Sequence, residues 1–237
     1  MLTVRAMGER LSSAESGEAV PRGPIPPHAQ FEDFLAESGR SALLDWTLAN
    51  QAEFKEAKVF YRGGTAKRLD PNVRQALRHV GAGPFEALLE ERLLDALPQV
   101  MAAAAYSGPE PRSIELELVA YGEGAHFAPH IDIPVGAART PTGKEKGEDR
   151  LITAVYYFHR EPKAFSGGKL RLYRFGADAS DPALNEEGSI AFEPIQNSLL
   201  VFPSWAQHSV ERVSCPSGRF ADYRFAINCW FCRPTAG

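Results

Sequence analysis

The chain has 237 residues, 44% of them hydrophobic, and 26 basic against 30 acidic side chains give a formal net charge of −4. That length and apolar content can bury one sizeable core without disulfide staples. The charge argues against nucleic acid as a partner, because phosphate affinity needs clustered Lys and Arg, and here they are interspersed with acids.

Residues 1–28 include SSAESGEAVPRGPIPPH, which has almost nothing to bury and reads as a flexible N-terminal arm or an extended strap. The opening MLTVRAMGERLSS lacks the apolar run of a signal peptide, and no stretch is long enough to cross a bilayer. A cytoplasmic protein with no membrane partner is therefore expected. Residues 29–237 read as a single domain, with 29–110 as helical support and 111–237 as a β-rich core.

From Phe31 the pattern is helical: Phe31, Phe34 and Leu35, then Leu43, Leu44, Trp46 and Leu48, broken at Ser38-Gly39. After a turn at YRGGT, the segment DPNVRQALRHV offers Asp70 as an N-cap with Pro71 at the first helical position. A longer helix is expected from Phe85 to Ala104, kinked or divided by Pro98.

At residue 113 the period falls to two, as SIELELVAY alternates Ile114, Leu116 and Leu118 against Glu115, Glu117 and Val119. Strands are expected at 113–121, 126–133, 150–158, 168–175, 189–193, 198–202, 208–213 and 222–231, between turn signals. Helices followed by short strands, with no βαβ alternation, point to an α+β fold of helices packed on a sandwich or barrel. The charged stretch VGAARTPTGKEKGEDR, 135–150, reads as a loop beside the strand before it. The three cysteines make no disulfide framework, and Cys229 and Cys232 in CWFC lack the second ligand pair a zinc site needs.

Two of the six histidines lie in YGEGAHFAPHIDIP. On a strand, His130 and Asp132 share a face with Cα atoms about 7 Å apart, so imidazole and carboxylate can converge on one cation. His-x-Asp alone is a weak signal, since a solvated strand face carries the same residues. His208, in LLVFPSWAQHSVERV, offers a third ligand, and two histidines with one carboxylate leave open positions of the kind that non-haem Fe(II) oxygenases use. His126 lies about 13 Å from His130 along an extended strand, too far to share the cation, which leaves it a local structural role or a substrate contact. In YRFAINCWF, Arg224 sits on an otherwise apolar strand and must find an anion, either a ligand carboxylate or an acid such as Asp222.

HID at 130–132, RLITAVYYFH at 150–159, FSGGKLRLY at 165–173, LLVFPSWAQHSVERV at 199–213 and YRFAINCWF at 223–231 occur in this order. The series resembles the iron(II)- and 2-oxoglutarate-dependent oxygenases, in particular the prolyl 4-hydroxylase-like branch with its oxygen-sensing members. The resemblance covers about residues 113 to 231. It implies a double-stranded β-helix, or jelly-roll, barrel with supporting N-terminal helices. It also implies His130, Asp132 and His208 as Fe(II) ligands, and Arg224 with Tyr157 and Tyr121 around 2-oxoglutarate. Gly167-Gly168 matches the family's turn, and Trp230 an aromatic near the site, on the substrate side with His126. Arg224 follows His208 by sixteen residues, further than usual in these relatives, which leaves Arg219 as a competitor.

The implied chemistry couples oxidative decarboxylation of 2-oxoglutarate by O2 to hydroxylation of an unactivated C–H, with ascorbate as an auxiliary reductant. The implied substrate is prolyl or a related aminoacyl group, in a peptide, a protein or a small amino-acid-like molecule. Asp132, as a carboxylate ligand, favours hydroxylation over halogenation. Two other readings stay open: a cupin-type metal-dependent enzyme that uses no 2-oxoglutarate, and a non-catalytic sensing module on the same fold.

Overall fold

The computed structural model describes residues 3–4, 23–60, 67–133, 149–176 and 188–233. The turn expected at YRGGT, most of the arm and nearly all of the 135–150 loop lie outside them. The named elements are β1 (Ala29–Glu32), α1 (Glu37–Ala49), β2 (Lys55–Glu56), β3 (Arg74–Gln75), β4 (Leu77–Val80), α2 (Glu86–Asp95) and α3 (Leu97–Ala103). There follow β5 (Ser113–Tyr121), β6 (His126–His130), β7 (Asp149–Phe158), β8 (Leu170–Tyr173) and β9 (Ser189–Phe192). The last are β10 (Ser198–Pro203), β11 (His208–Val210) and β12 (Arg224–Arg233).

Two antiparallel sheets carry the fold. The larger runs Thr3–Val4, β1, β10, β7, β12, β5, β4, β2, and the smaller runs β9, β8, β11, β6, β3. Side chains alternate across a strand, so the central strands of the large sheet feed two cores. Leu118, Ala120, Ala154, Tyr156, Ile227 and Cys229 pack beneath the helices with Leu43, Leu89, Leu93 and Val100. Their neighbours Val119, Tyr121, Val155, Tyr157 and Ala226 turn the other way and meet Leu170, Leu172 and Val210 of the smaller sheet. The expected jelly-roll with supporting helices is the fold observed.

Two expectations need correction. Residues 29–32 are a strand, and the first helix starts only at Glu37 and runs through Ser38-Gly39. Phe31 and Phe34 are buried because this strand joins β10 and covers the helix-side core. The segment from Asp70 is not a helix either. Its first turn forms, with Asn72 N–H on the Asp70 carboxylate and the Val73 and Arg74 N–H groups on the Asp70 carbonyl. The chain then leaves it, because Arg74–Gln75 pairs with β6 and Leu77–Val80 with β5. Sheet pairing has overridden a local cap signal. The helix from Glu86 does break at Ala96, one turn residue ahead of Leu97-Pro98.

Asn197 ties β1 to the turn before β10. It adopts a left-handed φ of 58°, accepts from Leu35 N–H and Tyr156 Oη, and donates Nδ2 to Leu35 O. Asn197→Ala removes all three buried bonds and adds a strained φ, so it should destabilise the fold by about 3 kcal/mol in urea unfolding. Asn197→Gly relieves only the backbone part and should remain clearly less stable than wild type.

Candidate metal and co-substrate site

The smaller sheet brings the triad together by register. β11 pairs with β6 so that His208 stands directly opposite His130, with ring centroids 4.2 Å apart. Asp132 follows β6 by two residues, and its N–H donates to Ser204 O at 3.0 Å, which holds the carboxylate under both rings. His130 Nε2 lies 3.7 Å from Asp132 Oδ1, and His208 Nε2 lies 3.6 Å from Asp132 Oδ2. All three ligand atoms fall within 4.8 Å of one another.

The protonation pattern suits a cation. His130 Nδ1 lies 2.8 Å from Ala128 O and His208 Nδ1 lies 2.9 Å from Ala206 O. A carbonyl only accepts, so each Nδ1 carries a proton, and in the neutral tautomer each Nε2 offers its lone pair toward the other ligands. Burial, then the neighbouring His208, push the His130 pKa well down, so the ring is neutral. Burial alone would raise Asp132, but the charge that His208 and His130 gain on protonation, with the Trp230 N–H and Arg150 beside it, outweighs burial and keeps the carboxyl below its ordinary value.

Beneath Asp132 lies a hydroxyl pair that the sequence reading passed over. Thr153 Oγ1 donates to Asp132 Oδ2 at 2.8 Å, and Ser204 Oγ lies 2.9 Å from Thr153 Oγ1. With its own proton committed to the carboxylate, Thr153 must accept from Ser204. Thr153 lies on the same face of β7 as Tyr157, so strand parity could have found it. Thr153→Val should lower Mn(II) affinity by about ten- to a hundredfold, read by metal titration, with little change in unfolding midpoint.

Trp230 pairs with Thr153 across β7 and β12. Its buried indole N–H completes no hydrogen bond, yet it faces Asp132 closely enough to help hold that carboxyl down. The Arg150 guanidinium lies 3.5 Å from the Trp230 ring centre. His126 stands apart from the triad, with Nδ1 3.1 Å from Gly124 O and Nε2 3.3 Å from Asn72 O.

A second cluster lies deeper on the same interior face. Arg224 is 1% exposed, and its Nε donates to Gly168 O at 2.8 Å. Its carbon Cζ sits 4.8 Å from the Tyr121 ring centre and 4.9 Å from that of Tyr157. Arg224 Nη1 and Nη2 and Tyr157 Oη are buried with no hydrogen-bond partner. Gly168 is required here twice over: its φ is 66°, and a Cβ would stand 2.7 Å from Arg224 Cδ. Asp222, the acid that could have neutralised Arg224, instead pairs with Arg219 at 2.7 Å and accepts from Ser217. Arg219 is thus occupied in the loop and largely exposed. Thr153 and Tyr157 are four residues apart on β7, about 13 Å of strand, which sets the spacing of triad and guanidinium along one wall.

Fold and side chains together define a jelly-roll protein with a candidate two-histidine, one-carboxylate centre and a buried guanidinium behind it. Residues 116–232 match the model of the 2OG-Fe(II) oxygenase superfamily. The chain belongs to that superfamily. It is similar to an uncharacterised PKHD-type hydroxylase from Synechocystis, 39% identical over 147 residues, which are 62% of this chain and 45% of the relative. The chain thus spans less than half the length of that curated relative. In fold it is similar to a Pseudomonas putida prolyl-4-hydroxylase, with a TM-score of 0.56 and 20% identity, covering 88% of this chain and 93% of that one. It is also similar to the Trichoplax adhaerens prolyl hydroxylase solved with a hypoxia inducible factor peptide fragment: TM-score 0.57, 18% identity, coverage 87% and 84%.

Proposed function

We propose that the protein is an Fe(II)- and 2-oxoglutarate-dependent dioxygenase that hydroxylates an unactivated C–H of a prolyl or related aminoacyl substrate. The observation that carries this reading is the unpartnered guanidinium end of Arg224, buried beside the unpartnered Tyr157 hydroxyl. A buried cation without an anion is costly, and a dicarboxylate co-substrate would satisfy both groups with a bidentate pair and a hydroxyl hydrogen bond. A cupin-type enzyme that uses no 2-oxoglutarate has no use for such a clamp.

His130, Asp132 and His208 would hold the metal, with their Nε2 and carboxylate atoms already converging. When bound, iron and 2-oxoglutarate would supply the activation of O2, one oxygen atom going to C–H to give C–OH and the other to succinate, with CO2 released. The residues of the chain do the rest. Ala128 and Ala206 carbonyls fix the two imidazoles, Thr153 orients the carboxylate, and Tyr121 and Tyr157 cover the guanidinium from water.

The aminoacyl substrate draws support from the peptide complex of the Trichoplax protein and from the likeness to the prolyl-4-hydroxylase fold. We place the protein in the cytoplasm, since its three buried cysteines form no disulfide. No helix among the described residues is long and apolar enough to cross a membrane.

The test is incubation with Fe(II), ascorbate, 2-oxoglutarate, O2 and a peptide panel. Succinate release with a peptide gaining the mass of one oxygen is expected. The reading fails if no succinate forms and neither Mn(II) nor 2-oxoglutarate raises the melting temperature.

A further inference from the structure

The interior face that starts at Arg224 ends in charge. Along β5 it runs Tyr121, Val119, Glu117, Glu115, and these stand opposite Arg224, Ala226, Asn228 and Trp230 on β12. Glu115 holds Arg150. Glu117 is shared, with Oε1 accepting from Arg74 and Oε2 from Arg78, each at 2.8 Å. These two carboxylates hold three guanidiniums, and the Asp132 carboxylate lies near enough to act on both Arg74 and Arg150.

Arg74 lies beside the triad. Its side chain is 9% exposed, and its Nε is buried with no hydrogen-bond partner. The guanidinium carbon lies 4.8 Å from the centre of the Phe127 ring, and that ring stacks on His130 at 3.5 Å. One aromatic ring thus separates the unmet donor from a triad histidine. A purely structural role leaves this unexplained, because Arg78 already ties the same carboxylate to the edge of the large sheet. A buried guanidinium with an open donor is stabilised by a further acceptor, and a carboxylate is the strongest one to offer it.

We propose that Arg74 is a specificity-determining residue that receives a carboxylate of the substrate beside the triad; this rests on the oxygenase reading above. The carboxylate could be the terminal group of a free or N-acylated amino acid, or the side chain of an acidic residue in a peptide. The chemistry is the same in either case, an Arg–carboxylate ion pair in a largely dry site.

The experiment measures Kd on protein loaded with Mn(II) and 2-oxoglutarate, in two arms. One arm pairs N-acetyl-proline, N-acetyl-leucine and N-acetyl-lysine with their primary amides. The other pairs end-capped Ala-Pro-Glu and Ala-Pro-Asp with the Gln and Asn versions. Wild type should favour the carboxylate over its amide by about tenfold or more in one arm, which names the source. Arg74→Gln should bring that ratio to near one, and Arg74→Lys should retain part of it. Wild type without discrimination in either arm, or a ratio unchanged in Arg74→Gln, overturns the proposal. Arg78 still holds Glu117 in both variants, and the Lys variant keeps the charge should the Gln variant fold poorly. Mn(II)-dependent binding of 2-oxoglutarate is recorded in the same samples. Its absence sinks the oxygenase reading, whereas its presence with a flat acid-to-amide ratio sinks the Arg74 role alone.

Discussion

Asp132→Ala is expected to erase the thermal stabilisation that Mn(II) gives the wild type and to lower 2-oxoglutarate turnover by more than about a hundredfold, the loss that even outer partners of a metal site can bring. The argument is geometric. Asp132 Oδ1 and Oδ2 face the two imidazole Nε2 atoms from one side, so its removal leaves two neutral ligands and no counter-charge for the cation. The metal-free fold should survive, because the carboxylate belongs to neither apolar core. Calorimetric titration with Mn(II), and melting curves with and without the ion, separate loss of the site from loss of the fold. Binding of Mn(II) to Asp132→Ala with wild-type affinity would remove this residue from the metal site.

Much of this site can be read from the sequence because its strands alternate. β5 spans Ser113–Tyr121 as the period-two pattern predicts, and β7, β11 and β12 lie where VYYF, QHSV and RFAINCWF place them, whereas β6 stops at His130 and leaves Asp132 beyond the strand expected to carry both. The pairing of His208 with His130 is a register fact, invisible in the chain but fixed by which face must be buried. Arg74 was hidden for a different reason. Asp70-Pro71 is a sound helix start, and Val73, Ala76, Leu77 and Val80 fit a helical period and not the alternation of a strand, so only pairing with β5 and β6 overrides the local signal. The choice between Arg224 and Arg219 also waited on tertiary contacts. Asp222 and Ser217 occupy Arg219 in its own loop, while Gly168 gives Arg224 room and a carbonyl to hold its Nε.

Arg224→Met should have opposite effects on the empty and the loaded protein. Without co-substrate, wild type buries a guanidinium whose Nη1 and Nη2 meet nothing, between two aromatic rings that suit a thioether equally well. Replacing a poorly compensated buried charge by an apolar side chain of similar volume is often neutral or stabilising by about 1–4 kcal/mol. The variant should therefore unfold at the same or a higher urea concentration than wild type. With Mn(II) and 2-oxoglutarate present the order should reverse. Wild type gains stability in proportion to ligand binding, whereas the variant has no cation for the distal carboxylate and should bind it about a hundredfold or more weakly. Arg224→Lys should fall between the two, because an ammonium restores the charge but not the fork that pairs with both carboxylate oxygens. A variant destabilised in the empty state would mean that the guanidinium serves the fold. Equal stabilisation of variant and wild type by 2-oxoglutarate would remove Arg224 from the co-substrate site.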